Sequence, residues 1–442
     1  MEKFLAVFRL GLKYLYRYRR RYIFFMAALV FCYAIVTVIT SIKDGMYDSI
    51  YYNAQTHYAG DIVAVGYDDD TPADYLRLGQ DEISAILNAA AGGADAGGAG
   101  INPQHTILRT SIGAKGIVYF NGSAVQLKYL VGSDWDREMW LLDKMSFEEP
   151  YGALDDDSII LSVPVARLLG AKTGDSVIIE AGTRWGQKNT GIFFVKGIVK
   201  DSSIFGYYKA YISRLSLNRL IAYEDGECSS IGFFFADPGV AEQKRRQLQN
   251  ILSGQLQIGP LVYNRDQISV EKSIPWKGVK VFLYTLPVYL SEISGLLDAI
   301  NILAYLLYGM MLIIISVSAA VTYRLILHER AREMGIMRVI GFYGADLQLV
   351  LWSEIFVIGL ISLAAGFLLA LFLGWAVSLV SFSWFPGFEI FSRNGRLMPL
   401  YLPVTTLTNM LFICIVLFIM ALFPSFRASR KNLPGLLSGE PL

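Results

Sequence analysis

The chain has 442 residues, 54% of them hydrophobic and 17% charged, with a net charge of +1 and a mean hydropathy of +0.42. Those values fit an integral membrane protein with one sizeable soluble part rather than an ordinary soluble protein. Three cysteines without a CxxC spacing, Cys32, Cys228 and Cys414, speak against a disulfide framework or a cysteine-held metal.

Residues 1–21 carry Lys3, Arg9, Lys13, Arg17, Arg19, Arg20 and Arg21 against Glu2, with Phe4, Leu5, Phe8, Leu12, Leu15 and Tyr16 at helical spacing. This reads as a basic amphipathic helix on the inner membrane surface. Residues 22–42 hold no charge and are long enough to cross ~30 Å of hydrocarbon. No A-x-A cleavage site follows, so they form a retained first span starting in the cytoplasm.

Residues 43–287 then lie outside, as an α+β domain. Alternating apolar segments predict strands at 61–65, 116–120, 158–162, 176–180, 192–199 and 231–236. Helices are expected at 43–56, 80–91, 163–169 and 240–253, with an inserted lobe around 105–195. Residues 89–100, AAAGGADAGGAG, form a low-complexity loop.

A second span, with a stalk above the bilayer, covers 288–323 and starts just after Pro287. Residues 324–346 form a short charged turn between two long apolar runs. The third span is 347–380, a loop follows at 381–402, the fourth span is 403–423, and a basic tail ends the chain at 424–442. Both ends and the middle turn are basic, which satisfies the positive-inside rule with both termini cytoplasmic. Glu354, one turn into the third span, needs a partner, and Arg338 or the N-terminal helix is within its reach, unless it sits at the interface facing water.

Motifs for catalysis fail on inspection. Gly170-Ala171-Lys172-Thr173 lacks the Gly-Lys-Thr core and the upstream glycine of a phosphate loop. His328-Glu329 has no second histidine at zinc-protease spacing, and the acidic triplets 68–70 and 155–157 lack the glycine of a calcium loop. The three histidines form no evident Ser/His/Asp cluster, and no basic–aromatic patch suits nucleic acid. No catalytic, cofactor-binding or metal-ligating residue is therefore expected on this chain.

The run Glu329-Arg-Ala-Arg-Glu-Met-Gly-Ile-Met-Arg-Val-Ile-Gly341, followed by Glu354, resembles the signature of the FtsX-like permeases, a family that includes the MacB exporter and the lipoprotein-releasing permeases LolC and LolE. The basic opening, the single span and Asp44-Gly45-Met46 are similar to that family. So are SIILSVPVARLLGAKTGDSVII at 158–179, the segment 193–213 and the ending Pro424-Ser-Phe-Arg-Ala-Ser-Arg430. The usual Asp-Pro near the C-terminus is replaced by Asn432-Leu433-Pro434.

The resemblance implies a MacB-like, type VII ABC permease: four transmembrane helices with a large extracytoplasmic α+β domain between helices 1 and 2, in a bacterial inner membrane. It implies a non-catalytic subunit of a mechanotransmission transporter, with ATP and Mg on a partner ABC ATPase dimer. A second FtsX-like permease, identical or homologous, completes the assembly, with a periplasmic carrier or adaptor as a further partner. Because the first span comes so early, the ATPase is expected to be a separate polypeptide, which favours a LolC/LolE-like layout and release of lipoproteins from the inner membrane. The alternatives are MacB-like export of periplasmic drugs, toxins or peptides, and an FtsX-like scaffold controlling cell-wall hydrolases.

The expected ATPase-coupling residues are Glu329, Arg330, Glu333, Met334, Gly335, Met337, Arg338 and Gly341. The charged ones would supply ion pairs, the methionines adaptable apolar contacts, and Gly341 a helix end. For a lipid-bearing substrate the expected slot is Val38, Ile39, Ile42, Met46, Leu290, Ile293, Leu296, Leu297 and Ile300.

Overall fold

A computed structural model of the chain describes residues 19–69, 75–92, 100–200, 205–382, 388–393 and 395–430. The expected surface helix up to residue 18, residues 93–99 of the Ala/Gly loop and the tail from 431 lie outside the described residues.

The first helix, α1, runs Arg19–Tyr58. Its 40 residues measure roughly 60 Å at 1.5 Å per residue, about twice the hydrocarbon thickness. The sequence placed the end of a span at 42 and a separate helix at 43–56. The structure makes them one helix, because nothing between them breaks the i→i−4 ladder: Gly45 alone interrupts a run of ordinary helix-compatible residues.

The chain divides into two compact units. One is an α+β unit, Ser49–Leu296 with Phe382–Gly395; the other is a helical unit, Met1–Asp48 with Leu297–Ser381 and Arg396–Leu442.

The α+β unit is built on one sheet. Its elements are β1 (Ile62–Asp68), α2 (Gln80–Ala91), β2 (His105–Gly113), β3 (Gly116–Phe120), β4 (Ser123–Gln126), β5 (Tyr129–Ser133) and α3 (Trp135–Leu142). They continue with β6 (Ser158–Ser162), α4 (Val163–Leu169), β7 (Ser176–Gly182), β8 (Lys188–Val199), β9 (Lys209–Ser213) and α5 (Arg214–Ile221). The unit closes with β10 (Ser230–Phe234), α6 (Ala241–Leu252), α7 (Arg265–Lys272), β11 (Val279–Thr285) and α8 (Leu286–Leu290). The strand order is β11-β1-β10-β2-β5-β9-β6-β8-β7-β3-β4. The pairs β5–β9 and β6–β8 are parallel and the rest antiparallel.

Strands β6 and β9 are buried on both faces, and β6 accordingly reads as a continuous apolar run between two serines. By contrast β7 alternates exposed and buried residues, the period-2 pattern of a half-covered strand. The two largest cores among the described residues of the sheet lie under its helices. One gathers Ile62, Ile86, Ile231, Phe233, Leu248 and Leu283 under α2 and α6. The other gathers Leu130, Ile159, Val165, Val195, Ile212 and Leu217 under α4 and α5. This second core takes in Ala210, Ile212 and Tyr223, so the inserted lobe runs well past residue 195, where sequence alone ended it. Strand β9 is the reason: it pairs with both β5 and β6 and cannot be separated from them.

The stalk also differs from its expected form. Pro287 stands in the first turn of the short helix α8, a 3-10 turn follows at Ser291–Ile293, and only then does the long helix α9 run Ser294–Glu329. Helix α9 therefore continues past residue 323 into the segment read as a turn. After it come α10 (Ala331–Val339), α11 (Gly344–Leu379) and α12 (Pro403–Arg430). The connection from 381 to 402 is shared: Phe382–Gly395 belongs to the α+β unit, where Arg393 lies over the Tyr52 ring at 4.2 Å.

In the helical unit, α1, α9, α11 and α12 share a core of Phe25, Leu29, Tyr33, Ile315, Ile358 and Ile413. Polar bonds fix their register: Asn409 Nδ2 donates to Thr40 Oγ1 at 2.9 Å, and Tyr323 and Ser425 hydroxyls meet at 2.9 Å. Gly45 lets the segment before α12 cross α1. A Cβ there would run into the Met398 carbonyl, and the neighbouring Leu400 N–H donates to Ser41 O at 2.9 Å.

Candidate functional site

The site is the hinge between α9 and α11. Helix α9 stops at Arg330, whose φ of −96° and ψ of 3° lie in the bridge region. A single short helix, α10, turns the chain back. It ends on Gly341 at φ +105°, where the Phe342 N–H reaches Met337 O (3.1 Å) and the Gly341 N–H reaches Arg338 O (3.1 Å). That pair of bonds is a Schellman motif, and its usual apolar contact is present in Phe342. Helix α11 then opens with the Asp346 carboxylate accepting from the Tyr343 N–H at 3.3 Å.

One face of α10 is fastened down. Met334 and Met337 pack with Tyr323, Leu327, Leu347, Leu351 and Ile355 of the flanking helices. Arg330 is 2% exposed and Glu354 3% exposed. Arg330 Nη1 donates to Glu354 Oε2 at 2.5 Å and to the Tyr22 hydroxyl at 2.9 Å, while Tyr22 donates to Glu354 at 3.0 Å. Arg330 Nε also reaches Glu333 Oε2 at 3.3 Å. Three helices thus meet at one buried ion pair. Glu354 Oε1 is buried and accepts no hydrogen bond among the described residues.

The expected coupling residues divide on this geometry. Arg330, Met334, Gly335 and Met337 are buried, so their expected role as groups presented to another protein is corrected: they hold α10 against its own chain. Glu329 and Gly341 are exposed, and Glu333 and Arg338 are half-buried. Glu354 pairs with Arg330 and Tyr22, not with Arg338.

Sequence reasoning missed the outward face. Ile336 is 49% exposed, Val339 64%, Ile340 73% and Tyr343 75%, with Arg332 exposed beside them. Their spacing of i, i+4, i+7, i+8 and i+11 from Arg332 was the available signal. The charged residues drew attention instead.

The slot residues divide too. Val38, Ile39, Ile42 and Met46 on α1 and Leu297 and Ile300 on α9 are half-buried, and Leu296 is exposed. Leu290 is corrected: it belongs to α8 and is buried in the α+β unit. Ile293 lies in the 3-10 turn before α9. Within the helical unit, α1 and α9 are joined here by Tyr47, whose hydroxyl donates to Leu297 O at 2.8 Å and meets Asn301 Nδ2.

Four helices of membrane length, an α+β domain between the first and second, and a buried-pair hinge between the second and third define a multi-pass membrane protein built to hold one short helix in place. Residues 305–433 match the family described as the FtsX-like permease C-terminal domain. Over 54% of its length the chain is similar to the periplasmic region of MacB from Actinobacillus actinomycetemcomitans, covering 95% of that chain at 14% identity and a TM-score of 0.32, a likeness too low to fix any further feature. No curated protein matches the chain. The hinge, α10, α11 and α12 all lie within this FtsX-like segment.

Proposed function

We propose that this chain is the membrane subunit of a mechanotransmission transporter, and that it passes the motion of a separate ATPase to an extracytoplasmic domain so that lipoproteins leave the inner membrane. The observation that carries the coupling role is the exposed apolar row of α10: Ile336, Val339, Ile340 and Tyr343, with Arg332 at its edge. Such a row in a turn between two membrane helices suits the cytoplasmic face, where a protein can cover it. The back of α10 is held by Arg330, Met334 and Met337, so a push on its front moves α9 and α11 rather than dissipating in side-chain rearrangement.

Lipid-bearing cargo is the finer reading. Its support is the half-buried apolar set Val38, Ile39, Ile42 and Met46 on α1 and Leu297 and Ile300 on α9. These side chains offer apolar surface without being locked into the core.

The test has two arms. Ile340→Glu and Val339→Asp place a charge on the row without touching its buried back. They are expected to abolish ATPase co-purification at unchanged thermal stability; full co-purification by both would refute the docking face. Photo-crosslinkers at Ile42 and Leu297 are expected to capture a lipoprotein. Capture of a soluble periplasmic adaptor or peptide instead would replace the cargo reading with MacB-like export.

A further inference from the structure

A groove of about 830 Å³ lies on the helical unit between α11 and α12, separate from the exposed row of α10 and from the slot residues. Trp352, Phe356 and Leu360 of α11 line it together with Leu411, Ile415 and Phe418 of α12. Gly359 leaves room at its floor: a Cβ there would have Leu417 Cδ1 as its nearest neighbour, at an ordinary 3.7 Å. Phe356, Leu360, Leu411, Ile415 and Phe418 are exposed, so the groove opens on the outside of the bundle. Both helices are of membrane length, and the outside of such a bundle meets hydrocarbon.

One polar atom interrupts this apolar lining. Trp352 Nε1 is buried and donates no hydrogen bond among the described residues. The ring itself is held against Phe418, with centroids 5.3 Å apart, and the hydroxyl of neighbouring Ser353 donates to Val350 O at 2.7 Å.

The depth of the indole follows from the buried pair beside it. Trp352 precedes Glu354 by two residues, roughly 3 Å along the helix and turned to its other side. Glu354 accepts from Tyr22, which directly follows Arg19-Arg20-Arg21 at the start of the first apolar run. The indole therefore stands where charged chain gives way to hydrocarbon, the level at which tryptophan N–H groups meet the polar parts of lipids. From Trp352 to Leu360 the groove extends roughly 12 Å at 1.5 Å per residue, most of one leaflet's share of the ~30 Å hydrocarbon layer.

A buried N–H without an acceptor is costly, and more so where no water can reach it. A transmembrane helix lying in the groove brings no backbone acceptor, because its carbonyls are engaged in its own ladder. The surface helix expected for residues 1–18 would lie flat at the headgroups rather than run inward along α11. A diacyl lipid supplies both parts in the required order: a carbonyl at the interface and an apolar chain below it.

We propose that this groove holds one glycerophospholipid. An ester carbonyl of the lipid accepts from Trp352 Nε1, and the acyl chain attached to it runs past Gly359 toward Leu360 and Leu411. The lipid site is independent of what the transporter carries and of how its ATPase docks.

The test titrates the full chain in detergent micelles with a diester phosphatidylglycerol and with its diether analogue of equal chain length, which lacks the carbonyls. Bound lipid is counted by native mass spectrometry. The diester is expected to bind about fivefold more tightly, the worth of one neutral hydrogen bond. In Trp352→Phe, which keeps an aromatic ring and loses the N–H, the two lipids are expected to bind alike. Gly359→Leu is expected to fill the groove and lose the lipid at an unchanged unfolding temperature. A photo-crosslinker at Phe356, with the chain in nanodiscs, is expected to capture lipid. Equal binding of the two lipids by the native chain, an undiminished diester preference in Trp352→Phe, or full lipid binding by folded Gly359→Leu each overturns the proposal. So does capture at Phe356 of residues 1–18 or of a second copy of the chain in place of lipid.

Discussion

Arg330 and Glu354 show how far a residue's role depends on what surrounds it. Both are charged, both are buried, and each is the other's principal partner. Removing one member of a buried pair leaves an uncompensated charge and costs about 3–5 kcal/mol. Arg330→Met and Glu354→Leu are each expected to lower the unfolding temperature in detergent sharply. The double replacement is expected to recover most of the loss, because no charge is then stranded. If the double variant is as unstable as the sum of the singles, the pair is not the contact that matters. Cys228 offers a second reading at this scale. It is fully buried against the first core, and burial pushes its thiol up to about 12. Its thiolate fraction at pH 8 is therefore negligible, and alkylation at Cys228 is expected only once the α+β unit unfolds. Rapid alkylation of the native chain at that position would contradict the packing described.

Helix α10 is too short to be stable alone, and its ends and back supply what propensity does not. Gly341 holds a backbone conformation that side chains adopt only with strain. Gly341→Ala is expected to cost ~1 kcal/mol and to speed amide exchange across α10, with little change in the middle of α11. Uniform acceleration throughout the helical unit would show instead that the motif is not a local cap. Much of this was legible in advance. The glycine after a basic last turn, and the apolar spacing of the outer row, are local signals that survive in any context. The burial of Met334 and Met337 was not, because a methionine suits a partner's groove and its own core equally well. In the α+β unit the strands predicted at 116–120 and 158–162 coincide with β3 and β6. Strands β5 and β2 were not expected: both are buried through consecutive residues, Leu130–Ser133 and Ile107–Thr110, so neither shows a sustained period-2 pattern.

For the whole molecule, the proposed coupling requires α10 to face the cytoplasm. A single cysteine at Arg332→Cys, in a background with the native cysteines replaced, is expected to resist membrane-impermeant maleimide in intact cells and to react after permeabilisation. Labelling in intact cells would remove the ATPase from reach and end the coupling proposal. Charge reversal at Glu333 and Arg338 together is expected to separate ATP hydrolysis from transport while leaving expression normal, since both are half-buried beside the outer row. Four membrane-length helices and the resemblance at 329–341 could be read from the chain alone, because hydropathy and short motifs are sums over neighbouring residues. Which buried arginine meets which glutamate, where one lobe of the sheet gives way to the next, and which indole lines a groove depended on residues tens to hundreds of positions apart. Those pairings are chosen by packing and by the cost of leaving a buried charge unanswered, and only the folded chain brings the competing partners within reach of one another.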